Sequence, residues 1–346
     1  MIRLLFGILF ALSLSIPASA SEIQAPEVPE SAMDIMPENT DSFGNALVEL
    51  LRKGILLIQP ELDGALRTCS GILICALLYS ILPILSEKLT EPMAMAWSVA
   101  LGTVMLQRTG TMIGYAADAL RQICDYGKLL CPVLTTALAA QGGLTTSAAL
   151  YTGTIAFITL LSILVSRLLI PLVYIFLLFS MAGSAIGEGF FRNLADGVKH
   201  LLTWLLKTLL IVFTTYMSVT GVVSGTTDAA ALKTAKVTLS SVVPVVGGIL
   251  SDASESVLVS MGILKNTAGI YGILAVLALF MGPFVKVGVQ YLLLKGSAAL
   301  CSLFGDKRIS SLVGDFSTAM GLLVAMVAAG CVLILISTVC YLKGIG

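Results

Sequence analysis

Residues 148–186 read AALYTGTIAFITLLSILVSRLLIPLVYIFLLFSMAGSAI and contain a single charged residue, Arg167. A bilayer-spanning helix needs ~20 apolar residues. The stretch therefore holds two spans, Ala148–Ser166 and Leu168–Ile186, in a very tight hairpin, or one long bent helix. The rest of the chain agrees in character. Hydrophobic residues make up 57% and charged residues 12%, with a mean hydropathy of +1.00, whereas a soluble domain is roughly a quarter charged. The expected class is an all-α, polytopic integral membrane protein. Net charge is zero, so nothing points to nucleic acid.

Working outward, Thr68–Ser86 is an uninterrupted span, and Met93–Ala117 is broken by Gln107 and Arg108. Leu201–Val223 contains Lys207. Ala268–Val285 and Val287–Phe304 meet near Lys286, and Met320–Tyr341 ends the series, with Ile334 mid-span and expected to face lipid. The total is about eight spans. Lys207 lies about two turns inside its span, where a lysine is costly unless it snorkels or finds a partner. Lys286 and Lys295 can snorkel in the same way. Arg167 and Glu188 flank Leu168–Ile186 as helix-end anchors or as the lining of a polar pathway.

Residues 1–20, MIRLLFGILFALSLSIPASA, have a basic start, an apolar run and an Ala-Ser-Ala site, the pattern of a cleaved signal peptide. Residues 21–42 are acidic and Pro-rich and are expected to be disordered outside the cytoplasm. Residues 43–66 are amphipathic and suit the membrane surface. Residues 67–128 hold the first two spans.

Two prolines repeat at one spacing: 244 minus 132 and 283 minus 171 are both 112. Pro132 opens PVLTTALAAQGG, with Gly142 and Gly143 close behind; Pro244 opens PVVGGILSDASE, with Gly247 and Gly248. After Pro171 and Pro283 comes an apolar stretch, then Gly-Ser-Ala at 183–185 and at 296–298. Residues 129–223 and 224–342 thus read as two copies of a short broken segment followed by three spans, the second broken segment lying near 237–250. An odd number of spans would invert one copy relative to the other, as in many transporters. Val242–Leu250 is too short to cross a bilayer. It suits a re-entrant turn packed between the copies, or an interfacial helix. Lys233, Lys236, Pro244, Gly247, Gly248, Asp252, Lys265 and Asn266 are the candidate functional residues there.

Catalytic and metal chemistry find little support. His200 is the one histidine and no GxSxG elbow accompanies it. None of the seven cysteines forms CxxC, and Cys124 and Cys131 could pair only in an oxidising compartment. No GxxxxGK[ST] loop is present, so no nucleotide or other cofactor is expected.

Residues 221–272, GVVSGTTDAAALKTAKVTLSSVVPVVGGILSDASESVLVSMGILKNTAGIYG, resemble the stage III sporulation protein AE family through ALKTAK, the PVVGG run with the SDA after it, and KNTAG. The resemblance implies a non-enzymatic, multispanning protein of the mother-cell membrane around the forespore. Its implied partners are membrane and ring-forming proteins of the same operon, a secretion-type ATPase, and indirectly a forespore membrane protein. Two other classes stay open. A small-molecule permease would draw on the repeat. An intramembrane hydrolase would need a Ser–Lys pair using Lys207.

Overall fold

The computed structural model describes residues 26–37, 43–85, 90–140, 144–187, 189–219, 267–303 and 307–345. Every regular element among them is helical: α1 (Glu30–Met33), α2 (Phe43–Leu56), α3 (Ile58–Leu85), α4 (Thr90–Ala140), α5 (Leu144–Leu164), a π segment (Val165–Leu169), α6 (Ile170–Ile186), α7 (Gly189–Val219), α8 (Thr267–Leu303) and α9 (Lys307–Ile345). Residues 1–20, the expected signal peptide, lie outside the described residues.

Among the described residues five helical stretches are long and apolar enough to cross a membrane: Phe43–Tyr79, Ser147–Ile186, Gly189–Met217, Gly269–Leu303 and Lys307–Leu342. The expected eight reduce to these by three steps. Helix continues straight through Arg167 and through Lys286, so two pairs of expected spans are single helices. Neither charge is flanked by turn residues, and one charge does not end a helix that is otherwise apolar. Met93–Ala117 is absorbed into α4, a 51-residue helix that also carries Asp118, Arg121, Asp125 and Lys128.

The prolines do not break these helices. Pro132 and Pro283 lie inside α4 and α8. The Pro132 segment is therefore not a broken element, contrary to the sequence expectation. A proline frees one carbonyl and crowds the preceding turn, which packed neighbours and local adjustment can absorb. At Pro171 the adjustment is visible: the π segment directly precedes it, widening the turn where the ring would meet the carbonyl of Arg167.

The expected inversion of the two copies is also corrected. The first copy contributes α5–α6 and α7, and the second contributes α8 and α9. Ser317 Oγ donates to the Tyr291 carbonyl (3.0 Å) and Ser310 Oγ to that of Ala298 (2.9 Å), so α8 and α9 are antiparallel. Thr154 Oγ1 meets Ser337 Oγ (3.2 Å), while Ser184 Oγ donates to the Arg308 carbonyl (3.1 Å), so α9 is also antiparallel to α5–α6. Hence α8 runs parallel to α5–α6, and the two hairpins share one sense. Fusion of the paired spans leaves each copy an even number of described helices, which removes the reason for inversion.

Helix α9 is the centre. The apolar window of its Lys307–Leu342 stretch is 100% buried, with α4, α5, α6, α7 and α8 packed around it. Ile334 is 1% exposed, a core residue and not a lipid-facing one. Small residues on α9 let neighbours approach: at Gly330 the space of a side chain is taken by Leu120 of α4 and Leu161 of α5. Part of the acidic segment is packed as well, contrary to the expected disorder. Val28, Ala32 and Ile35 are buried, Lys53 Nζ donates to the Met36 carbonyl (2.8 Å), and Ser31 bonds Gln122. Apolar residues interleave with Glu27, Glu30 and Asp34, giving this short piece one face that can seat on the bundle.

Candidate functional site: a polar corner between two hairpins

The turn after α6 meets the start of α9 at one end of the bundle. That turn is made by Gly187, whose φ of 75° is left-handed and whose N–H closes on the Gly183 carbonyl at 3.0 Å. Glycine adopts this conformation without a Cβ penalty, and a Cβ there would lie 3.1 Å from Arg308 Nη2. The missing side chain is what admits the guanidinium of α9. Arg308 then grips both carboxylate oxygens of Glu91, at 3.0 Å each, in the bidentate geometry that favours arginine over lysine. Ser184, from the first Gly-Ser-Ala, ties α6 to the start of α9 and reaches Ser98 of α4 at 3.5 Å.

Below this tie lies a group of four charges. Asp315 of α9 has Arg192 and Lys199 of α7 as cationic neighbours, Asp196 of α7 as an anionic one, and Ser180 of α6 beside it. Arg192 also donates to Ser311. The Ser180 hydroxyl is buried and makes no hydrogen bond of ordinary geometry. The four charges sum to zero, so the cluster is polar without being a strong anion or cation trap.

A second polar contact sits halfway down the bundle. Lys286 Nζ is 3.4 Å from Glu61 of α3 and 4.8 Å above the ring of Tyr115 of α4. Lys286 is thus paired at mid-helix, where the sequence suggested that it snorkels from a helix end. Counting along the antiparallel contacts puts it level with Arg167, and Phe157 against Phe213 puts Lys207 within about one turn of the same level. Asp118 and Arg121, paired at 3.1 Å, lie there too. These residues form a charged girdle around the waist. With each partner about one-third exposed, removing either charge alone, as Glu61→Gln or Lys286→Met, is expected to cost about 1–2 kcal/mol. That value lies between the limits for exposed and buried pairs. The double variant should recover most of the loss, and thermal unfolding in detergent checks the cycle.

The residues singled out in the sequence are spread widely. Lys233, Lys236, Pro244, Gly247, Gly248, Asp252, Lys265 and Asn266, with Gly142 and Gly143, lie outside the described residues. Pro132, Pro171 and Pro283 are on three separate helices, and Lys207 is exposed on α7. Sequence reasoning missed Glu61, Glu91, Arg308 and Asp315. Three of them stand next to spans, at helix beginnings where charge is unremarkable, and Asp315 precedes the segment that reads as the last span. Cys124 and Cys131 are both free. On one helix seven residues apart they are separated by about 10 Å of rise, too far to bridge. Burial pushes each thiol up to about 12, which keeps them protonated and inert. Among the described residues no group of His, Cys, Asp and Glu could hold a metal ion.

Comparison with known proteins adds the following. The family model described as stage III sporulation protein AE matches residues 41–343. Stage III sporulation protein AE of Bacillus subtilis (strain 168) is 28% identical over 194 residues, which is 56% of this chain and 48% of that protein. The match thus spans about half the length of the relative. No solved structure matches.

Proposed function

This chain belongs to the stage III sporulation protein AE family, and from that premise we propose that it is a multispanning, non-enzymatic membrane component of the complex built between mother cell and forespore during endospore formation. The family match over residues 41–343 carries the reading, and five helices of membrane-crossing length and apolarity agree with it. Its partners are the membrane and ring-forming proteins of its operon and a secretion-type ATPase, and its place is the mother-cell membrane with the mature N-terminus outside the cytoplasm. The centre of the bundle is filled by α9, which favours a conduit bounded by several chains over a pore through one. Deleting the gene in an endospore former, then restoring it, tests the role. Heat-resistant spores should be lost and regained; an unchanged spore count contradicts it.

The membrane register follows from helix length. The 40-residue Ser147–Ile186 stretch is about 60 Å long at 1.5 Å per residue, twice the ~30 Å of hydrocarbon in a bilayer. In this reading the girdle marks one boundary and the half that ends at the polar corner is embedded. At that level α3 exposes Ile74 and Leu78, α4 exposes Met95, Val99 and Val104, α6 exposes Ile175 and Leu178, and α8 exposes Leu292 and Leu300. Beyond the girdle α4 carries Asp125 and Lys128. A cysteine replacing Leu129 should react with a water-soluble maleimide in membranes, and one replacing Val99 should not. The reverse pattern would place the other half in lipid.

A further inference from the structure

We infer that the outer face of α7 borders a water-filled path at membrane depth, open to small hydrophilic solutes. The inference rests on the membrane register proposed above and gives the conduit reading a lining. Helix α7 buries Ala195, Leu202 and Leu206. At 3.6 residues per turn Asn193, Gly197 and His200 form one stripe on the opposite side, and all three are exposed. Arg192 and Asp196, beside that stripe, are exposed too.

The stripe lies in the embedded half. The backbone nitrogen of Arg192 is 3.4 Å from the Cβ position of Gly183, near the polar corner. Lys207, at the other limit, is close to the level of the girdle. Residues 192–207 thus cover about 22 Å of depth at 1.5 Å per residue, most of one hydrocarbon layer. Trp204, 55% exposed, and Lys207 suit the boundary itself.

The other helices differ at this depth. Arg67 of α3, Arg108 of α4 and Lys295 of α8 are exposed among apolar side chains such as Ile74, Val99 and Leu292. A lone arginine or lysine has a stem long enough to carry its charge toward the boundary. Asn193, Asp196 and His200 have short side chains that cannot reach it. Nor is the stripe diluted: between Phe190 and Leu201 the exposed positions are Arg192, Asn193, Asp196, Gly197 and His200. Ionisable groups at membrane depth face the bundle interior or water, not lipid. The interior is filled by α9, and the stripe is turned away from it, which leaves water. The charges of Arg192, Lys199, Asp196 and Asp315 balance, so the surface is hydrated without strongly favouring ions of one sign.

Single cysteines test the path in opened native membranes, with the chain lacking added cysteines as the background. Asn193→Cys and Gly197→Cys are compared with Val99→Cys and Leu178→Cys, their counterparts in depth on α4 and α6. No atom lies within 4 Å of a Cβ placed at Gly197, so a cysteine fits there. The probes are one cationic and one anionic methanethiosulfonate, neither of which enters lipid. The α7 pair should react with both reagents, at least tenfold faster than the lipid-facing pair, because a thiol must ionise to react. His200→Cys, nearest the middle of the embedded half, should react as well. Reaction at 193 and 197 but not at 200 would show a shallow dent at the surface and overturn the path. An α7 pair as slow as the lipid-facing pair, with Leu129→Cys reacting, would also overturn it while leaving the register intact. Val99→Cys and Leu178→Cys reacting as fast as the α7 pair would contradict the register instead. Labelling is read in any cell that makes the chain, so an unchanged spore count on gene deletion leaves its outcome standing.

Discussion

Ile334→Lys should leave almost no folded protein, whereas Leu178→Lys should leave most of it. Both positions are apolar residues in helices long enough to span a bilayer, and Ile334 reads as lipid-facing in the sequence. Ile334 is 1% exposed, on α9, with side-chain atoms against α4 and α5, while Leu178 is 53% exposed on α6. An ammonium at 334 would be enclosed among apolar side chains, a cost of several kcal/mol. At 178 the insertion cost is about 2.5–3.5 kcal/mol on translocon scales, lowered if the lysine snorkels. Quantifying membrane-extracted, monodisperse protein from matched cultures checks the contrast. Equal recovery of the two variants would mean that α9 is not the core.

The second large effect comes from the same place. Gly127 of α4 faces Ile334, and a Cβ built at 127 would lie 2.6 Å from Ile334 Cδ1 and 3.1 Å from Ile158 Cδ1. Gly127→Ala should therefore destabilise the bundle by about 1–3 kcal/mol through overpacking. That sign is the opposite of the ~1 kcal/mol gain alanine brings to an open helical position. Ile334→Val removes Cδ1 but leaves a γ carbon at the 2.9 Å contact, so in combination it should recover part of the loss. On its own, Ile334→Val should cost about 0.5–1.5 kcal/mol. Thermal denaturation in detergent of the two single variants and the double one gives the coupling directly. Additive losses would show that the contact between α4 and α9 is looser than described.

What could be read from the sequence follows from which residues carry local information. Composition gives the helical membrane-like class, because so apolar a chain has few other solutions. Gly187, just beyond the expected span Leu168–Ile186, coincides with the left-handed turn that ends α6, since glycine in a turn has a local cause. The span count was not legible. Arg167 and Lys286 look like boundaries, yet a charge, unlike a glycine or proline, exerts no backbone constraint. Nor was the central helix legible. α9 is apolar on every side, and such a helix fits a protein core and a lipid environment equally well. The polar corner shows the same division. Gly183-Ser184-Ala185 stood out by repetition, but the bidentate pair of Glu91 with Arg308 joins residues 217 apart in sequence, and no periodicity connects them.

The measurement that bears most directly on the proposed role is affinity isolation of the tagged full chain from the membranes of sporulating cells, followed by identification of what comes with it. The ring-forming and membrane proteins of its operon and the secretion-type ATPase should be recovered with it, in amounts well above those from vegetative cells carrying the same tag. Recovery of the chain alone, under detergent conditions that keep it folded, would contradict a place in the mother cell–forespore complex.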